Sequence, residues 1–125
     1  HKFTELPHEI GKLGNLELLR ISHCSEFKIM PESITKLRSL MFLDISHCLS
    51  LRELPDNIGE LRNLRKFYKP SCPINELPNS IMYLEKLENV ICDENSYQFW
   101  DAIKACISGL NIKMGTMDIS LNWLF

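Results

Sequence analysis

The chain has 125 residues, 24% of them charged, with a formal net charge of −2 and five cysteines. That length suits one compact domain or a short run of stacked units. The charge balance argues against a nucleic-acid binder or an arm that docks on anionic membranes, since both carry a basic excess or stripe, and no apolar run approaches the ~20 residues that cross a bilayer. A soluble chain is expected.

Read in chain order, the sequence opens at His1, two residues before the apolar Phe3 and without a capping signal, which reads as the end piece of a longer protein. A period follows at once. Leu6-Pro7, Met30-Pro31, Leu54-Pro55 and Leu77-Pro78 recur at intervals of 24, 24 and 23 residues. In step with them stand Ile10, Ile34, Ile58 and Ile81; Leu13, Leu37, Leu61 and Leu84; and Leu16, Leu40, Leu64 and Leu87. Then come Leu19, Leu43, Phe67 and Val90, followed two residues later by Ile21, Ile45, Lys69 and Cys92.

This template, L-x-x-L-x-L-x-x-C continued by x-x-L-x-x-L-P-x-x-I, is similar to the leucine-rich repeat. The L-x-L core puts alternate side chains on one face of a short strand, and the leucines of the return arm point into the same interior, which only a neighbouring unit can close. The prolines fit the return arm, because a residue without an N–H would damage a central strand. The expected fold is therefore α/β: a solenoid with short parallel strands on a concave face and irregular or helical arms on the convex side. Residues 1–95 would hold four units of 23–24 residues, and 96–125 a C-terminal helix, a last strand and a capping tail.

The third unit breaks the template with Lys69 at an inward strand position, before Pro70. Two readings are open: the strand is distorted there, which is the favoured one, or the lysine stem runs through the core edge to water.

The segment Ile-Ser-His-Cys occurs twice, at 21–24 and 45–48. Cys24, Cys48 and Cys72 share one template position, where a small side chain turns inward and meets loop backbone groups. Residues in a column about 4.8 Å apart form a line, which suits neither a tetrahedral metal site nor a disulfide. His23 and His47 are expected beside that column, exposed or half-exposed, and no orienting third group recurs to make a Cys-His catalytic pair. No catalytic residue, metal ligand or cofactor site is expected. The odd cysteine number and the lack of an Asn-x-Ser/Thr acceptor favour a reducing compartment.

Beyond Asp93-Glu94 the period stops. Asn95 or Ser96 would cap a helix over Tyr97 to Ser108, with apolar residues at Phe99, Trp100, Ile103, Cys106 and Ile107, and Gly109 would end it. Leu110-Asn111-Ile112 reads as one more strand. The apolar residues from Asp118 to Phe125, Trp123 among them, read as a lid over the open end of the stack or as a docking segment.

The phrase L-P-x-x-I-G-x-L-x-N-L-x-x-L-x-I-S-x-C, carried by Leu6 to Cys24 and by Leu54 to Cys72, resembles the repeats of plant intracellular immune receptors, the nucleotide-binding leucine-rich-repeat proteins. Val90-Ile91-Cys92-Asp93-Glu94 with Trp100, and later Asp118 to Leu124, resemble the C-terminal end of the helper receptors, above all the N-requirement-gene-like branch. The resemblance implies a non-enzymatic recognition module that docks on heterodimers of lipase-like immune proteins of the enhanced-disease-susceptibility family. It also implies a cytoplasmic and nuclear setting, and upstream nucleotide-binding and coiled-coil regions of the same chain that drive oligomerisation and cell death. This segment has no G-x-x-x-x-G-K-[ST] and hence no nucleotide site of that type, and neither nucleic acid nor membrane is an expected partner.

Partner contact is expected on the outward strand positions: Leu18, Arg20 and Ser22; Phe42, Asp44 and Ser46; Lys66, Tyr68 and Pro70; Asn89, Ile91 and Asp93. Leu18, Phe42, Tyr68 and Ile91 should form an exposed apolar row with Arg20, Asp44 and Lys66 as charged selectors, unless some of them pack against the tail. Rival readings are an autoinhibitory or structural segment that folds back on its own chain, and a truncated helper that competes for the same partner.

Overall fold

A computed structural model of the chain describes residues 4–74 and 76–114. Its sheet has five parallel strands in sequential order, β1 (Leu18–Arg20), β2 (Phe42–Asp44), β3 (Lys66–Tyr68), β4 (Asn89–Cys92) and β5 (Asn111–Met114). The register is unbroken: Leu18, Phe42, Lys66, Asn89 and Asn111 stand side by side, as do Arg20, Asp44, Tyr68, Ile91 and Lys113. The repeat interval read from the sequence is thus the pairing offset of the strands.

A short 3-10 helix, His8–Lys12, precedes β1, and the chain returns between β1 and β4 through three more, Glu32–Lys36, Ile58–Glu60 and Asn79–Tyr83. Their cause is visible in the hydrogen bonds. In the second unit Ile34 N–H donates to the Pro31 carbonyl, Leu37 to Ile34 and Leu40 to Leu37, each at 3.1 Å. Equivalent chains run from Pro7, Pro55 and Pro78. Donation from i+3 to i gives three residues per turn, so side chains three apart eclipse, and the I-x-x-L-x-x-L spacing puts the isoleucine and two leucines of each arm on one side, facing the sheet in the second, third and fourth units. Pro7, Pro31 and Pro78 precede their helices with φ of −69°, −70° and −63°, an extended geometry that proline adopts without strain.

The core lies between arms and sheet. Ile34, Leu37, Leu40, Leu43 and Ile45 have no exposed surface, and Ile58, Leu61 and Phe67 repeat this in the third unit. Each such side chain contributes roughly 1.5–3 kcal/mol, as an upper bound. In the first unit, Ile10, Leu16 and Leu19 are only partly buried and Leu13 is 49% exposed.

After β4 the arm is a true helix, α1 (Glu94–Ile103). It begins earlier than Asn95 or Ser96 capping implies: Asp93 is the N-cap, and its carboxylate accepts from Ser71 N–H instead of capping its own helix. It also ends five residues before Ser108, because Cys106 N–H turns back to the Ile103 carbonyl at 2.7 Å and tightens the chain. Gly109, at φ +79°, then redirects it into β5. Trp100 is fully buried, its ring edge-on to Phe67 at 6.0 Å. The expected lid from Asp118 to Phe125, with Trp123, lies outside the described residues.

Lys69 corrects the favoured reading of the third unit. β3 keeps its length and register, Lys69 N–H donates to the Ile91 carbonyl at 2.8 Å, and the side chain has no exposed surface. Its Nζ donates to Ser96 Oγ of α1 at 3.1 Å. Burial pulls the ammonium below the usual lysine range, with Cys72, Asp93 and Cys92 opposing in that order. Between that lowered value and 10.5 the folded state binds fewer protons than the unfolded chain, so this group makes stability rise with pH there. The Lys69→Met variant is expected to be at least as stable as the wild type at neutral pH, since a desolvated charge is removed. Urea unfolding at a series of pH values should show its advantage shrinking toward pH 10.5.

Two glycines are required by close approach of neighbouring arms. A Cβ on Gly59 would overlap the Ser80 carbonyl oxygen, and one on Gly11 would lie 2.7 Å from that of Ser33. At Gly14 a Cβ would meet nothing within 4 Å. Gly59→Ala is expected to lose about 1–3 kcal/mol in urea unfolding, with Gly14→Ala near neutral as the control.

Candidate functional site: the outward face of the sheet

The strand residues that alternate with the partly buried Leu19 and the buried Leu43, Phe67 and Val90 face away from the arms. This face is not the uniform exposed row expected. Leu18 is 49% exposed and Phe42 half-buried, but Tyr68 and Ile91 are 1% and 2% exposed. These two are corrections. Tyr68 stands between Asp44 and Ile91 in the register, and Phe42 meets it edge-on with ring centroids 4.7 Å apart. An aromatic side chain in a column of neighbours about 4.8 Å apart is closed over by them.

Asp44 is buried as well, at 7% exposure, and is not a free charged selector. Its Oδ2 accepts from Arg20 Nε at 3.0 Å, and its Oδ1 accepts from Ser46 N–H at 2.9 Å and from the Ser46 hydroxyl. The guanidinium of Arg20 also lies 5.3 Å from the centroid of the Phe42 ring. Tyr68 belongs to the same cluster: burial raises its phenol above the ordinary tyrosine range, Asp44 adds to the rise, and Arg20 opposes it.

Toward the C-terminal strands the face is polar. Lys66 and Asn89 are half-buried in one row, and Asp93, also half-buried, is engaged by Ser71. The structure thus brings Leu18, Arg20, Phe42, Asp44 and Tyr68 into one connected group at the N-terminal half of the face, and sets Lys66, Asn89, Ile91 and Asp93 beside it. Met41, 37% exposed, is an apolar residue at the edge of this face that the strand alternation does not reveal, because it precedes β2 and shares its template position with Glu17, Arg65 and Glu88.

The histidine and cysteine columns are structural. His23, His47 and Ser71 adopt left-handed φ of 60°, 59° and 57°. His23 and His47 N–H groups donate to the carbonyls of Ser46 and Pro70 at 2.8 Å, and the two rings stack at 4.5 Å. The neighbouring thiols turn inward onto backbone carbonyls: Cys24 onto Ser22, Cys48 onto Ile21 and Cys72 onto Leu51. Among the described residues no three His, Cys, Asp or Glu converge as a metal site.

Burial raises the thiols of Cys48 and Cys92 to about 11 and that of Cys72 to about 12, against 9.0. The thiolate is the nucleophile, so these groups are inert at neutral pH. Iodoacetamide at pH 7.5 should modify the exposed Cys106 first, and Cys48, Cys72 and Cys92 only on unfolding, as read by peptide mass mapping. Because the folded state holds these protons more tightly, their contribution to stability is constant below about pH 9 and falls as pH rises toward 11–12.

No protein-family model matches the chain. Over 51 residues, 41% of its length, it is 35% identical to an Arabidopsis thaliana protein described as "Probable disease resistance protein", of which that stretch makes up 6%. In structure it is similar to a leucine-rich-repeat protein of Leptospira interrogans, with a TM-score of 0.73 and 27% identity over 90% of this chain and 29% of that one. It is also similar to the leucine-rich repeat domain of the type III effector XopL, with a TM-score of 0.75 and 23% identity over 90% of this chain and 39% of the other. The chain spans well under half the length of each of these proteins. Sheet, arms and neighbours agree: the described residues form a leucine-rich-repeat solenoid.

Proposed function

We propose that this chain is a protein-recognition module of a plant intracellular immune receptor of the helper type, acting through the outward face of its sheet. The similarity to the Arabidopsis disease resistance protein supports the plant immune part of this reading, and the helper type rests on the resemblance of the repeats and tail described from the sequence. The face supports it, since solenoids of this kind bind proteins across their strands, and Leu18 and Phe42 offer apolar surface beside a cation already oriented at Arg20. An exposed aliphatic, an aromatic and an arginine together form the composition of an interface centre. In this reading the module has no catalytic role and works in the cytoplasm and nucleus.

The tail resemblance supports the partner: heterodimers of lipase-like immune proteins of the enhanced-disease-susceptibility family, engaged when a small-molecule signal is bound to them. The test is capture of those heterodimers by this chain, with and without their signal. Signal-dependent capture is expected, and Leu18→Lys should abolish it while leaving the circular dichroism and melting temperature unchanged, because Leu18 is 49% exposed. Tyr68→Ala is unsuitable for this purpose, since the residue is buried. Absence of capture under both conditions would remove the proposed partner and favour an intramolecular role.

A further inference from the structure

Arg20 is held on two sides and open on a third. Its Nε donates to Asp44 Oδ2 at 3.0 Å, and its plane is steered by the Phe42 ring, 5.3 Å from Cζ. Asp44 does not take the terminal fork of the guanidinium, because its other oxygen is occupied by the backbone and hydroxyl of Ser46. Among the described residues nothing bonds to Nη1 or Nη2, and the Arg20 side chain keeps 43% of its surface exposed. Two residues earlier on the same strand face stands Leu18, 49% exposed.

We infer that this corner of the sheet is a receptor for a carboxylate side chain that is paired with a large apolar one on a segment of the partner protein. The inference rests on the interaction role proposed above and names the chemistry that role requires. An open guanidinium fork matches a carboxylate with two parallel N–H···O bonds. Leu18 and Phe42 beside it receive the apolar side chain. Strand rise places Leu18 and Arg20 about 7 Å apart, a distance spanned by residues i and i+2 of an extended segment or by one turn of a helix.

Asp44 takes Nε and leaves the Arg20–Asp44 pair without net charge, so the ligand is selected by the two-bond match of the remaining fork to a planar carboxylate and not by an excess of positive charge. Asp44 and Ser46 are positioning residues: they aim the guanidinium and touch no partner atom themselves.

The experiment pans a displayed library of random linear peptides against the 125-residue chain and against Arg20→Lys and Arg20→Gln. The enriched peptides are expected to carry Asp or Glu next but one to, or one helical turn from, Leu, Ile, Phe or Trp. Arg20→Lys keeps the charge but removes the fork, and it should weaken the selected peptides about tenfold, with Arg20→Gln weakening them further. Replacing the peptide carboxylate by its amide should lower affinity for the wild type but not for Arg20→Gln, a cycle that only direct pairing produces.

Failure to enrich any peptide, enrichment without acidic residues, acidic peptides indifferent to Arg20, or tighter binding of a phosphoserine replacement would each overturn the inference. The two readings fail separately. An acidic motif without heterodimer capture keeps the receptor corner and removes the named partner. Heterodimer capture unchanged in Arg20→Lys and Arg20→Gln keeps the partner and removes the carboxylate.

Discussion

Parallel pairing in an unbroken register is the constraint on which everything else in this molecule depends. It sets residues of the same template position side by side about 4.8 Å apart, so each position becomes a column whose members touch. Columns of leucine and isoleucine make the core. A column that holds Arg20 and Asp44 makes an ion pair, and one that holds His23 and His47 makes a ring stack at 4.5 Å. The chemistry available to the molecule is therefore decided between units: a side chain acquires its character from the residue one repeat away more than from its neighbours in sequence.

Two hydrogen-bond habits divide each unit. The strands keep a two-residue alternation, and the arms keep a three-residue one through the i+3 to i bonds that start at each proline. Both rhythms were legible in the sequence, because both leave apolar residues at fixed spacing. The strand positions, the arms and the sheet order followed from that spacing alone. The limits of α1 did not, since Asp93 is drawn into the turn of the preceding unit by Ser71 and the last helical turn tightens after Ile103. Those are tertiary bonds, and a local capping pattern does not contain them.

The face was less legible than the fold. Strand alternation tells which way a side chain leaves the backbone but not whether its neighbours close over it. Tyr68 and Ile91 leave toward the open side and are nevertheless buried, and Asp44 is buried with its charge met by Arg20 and its hydrogen bonds by Ser46. Lys69 shows the same limit in reverse. An ionisable residue at an inward position looked like a reason for the strand to deform, but a hydroxyl on the next arm, Ser96, receives the amine and the backbone keeps its path. In each case the missing information is a partner about one repeat distant in sequence.

The glycines of the arms introduce a longer rhythm. Gly11 and Gly59 belong to the first and third units, and the serines whose carbonyls press on them, Ser33 and Ser80, to the second and fourth. At the glycine position the second and fourth units carry Thr35 and Met82. The arms thus meet most closely in couples, the first with the second and the third with the fourth. Loss of the third unit alone would bring Thr35, with a branched Cβ, against Ser80 where Gly59 now stands, whereas loss of a whole couple would restore a native contact. Growth and shrinkage of such a stack by unequal exchange would accordingly avoid the junction of the unit carrying Thr35 with the unit carrying Ser80.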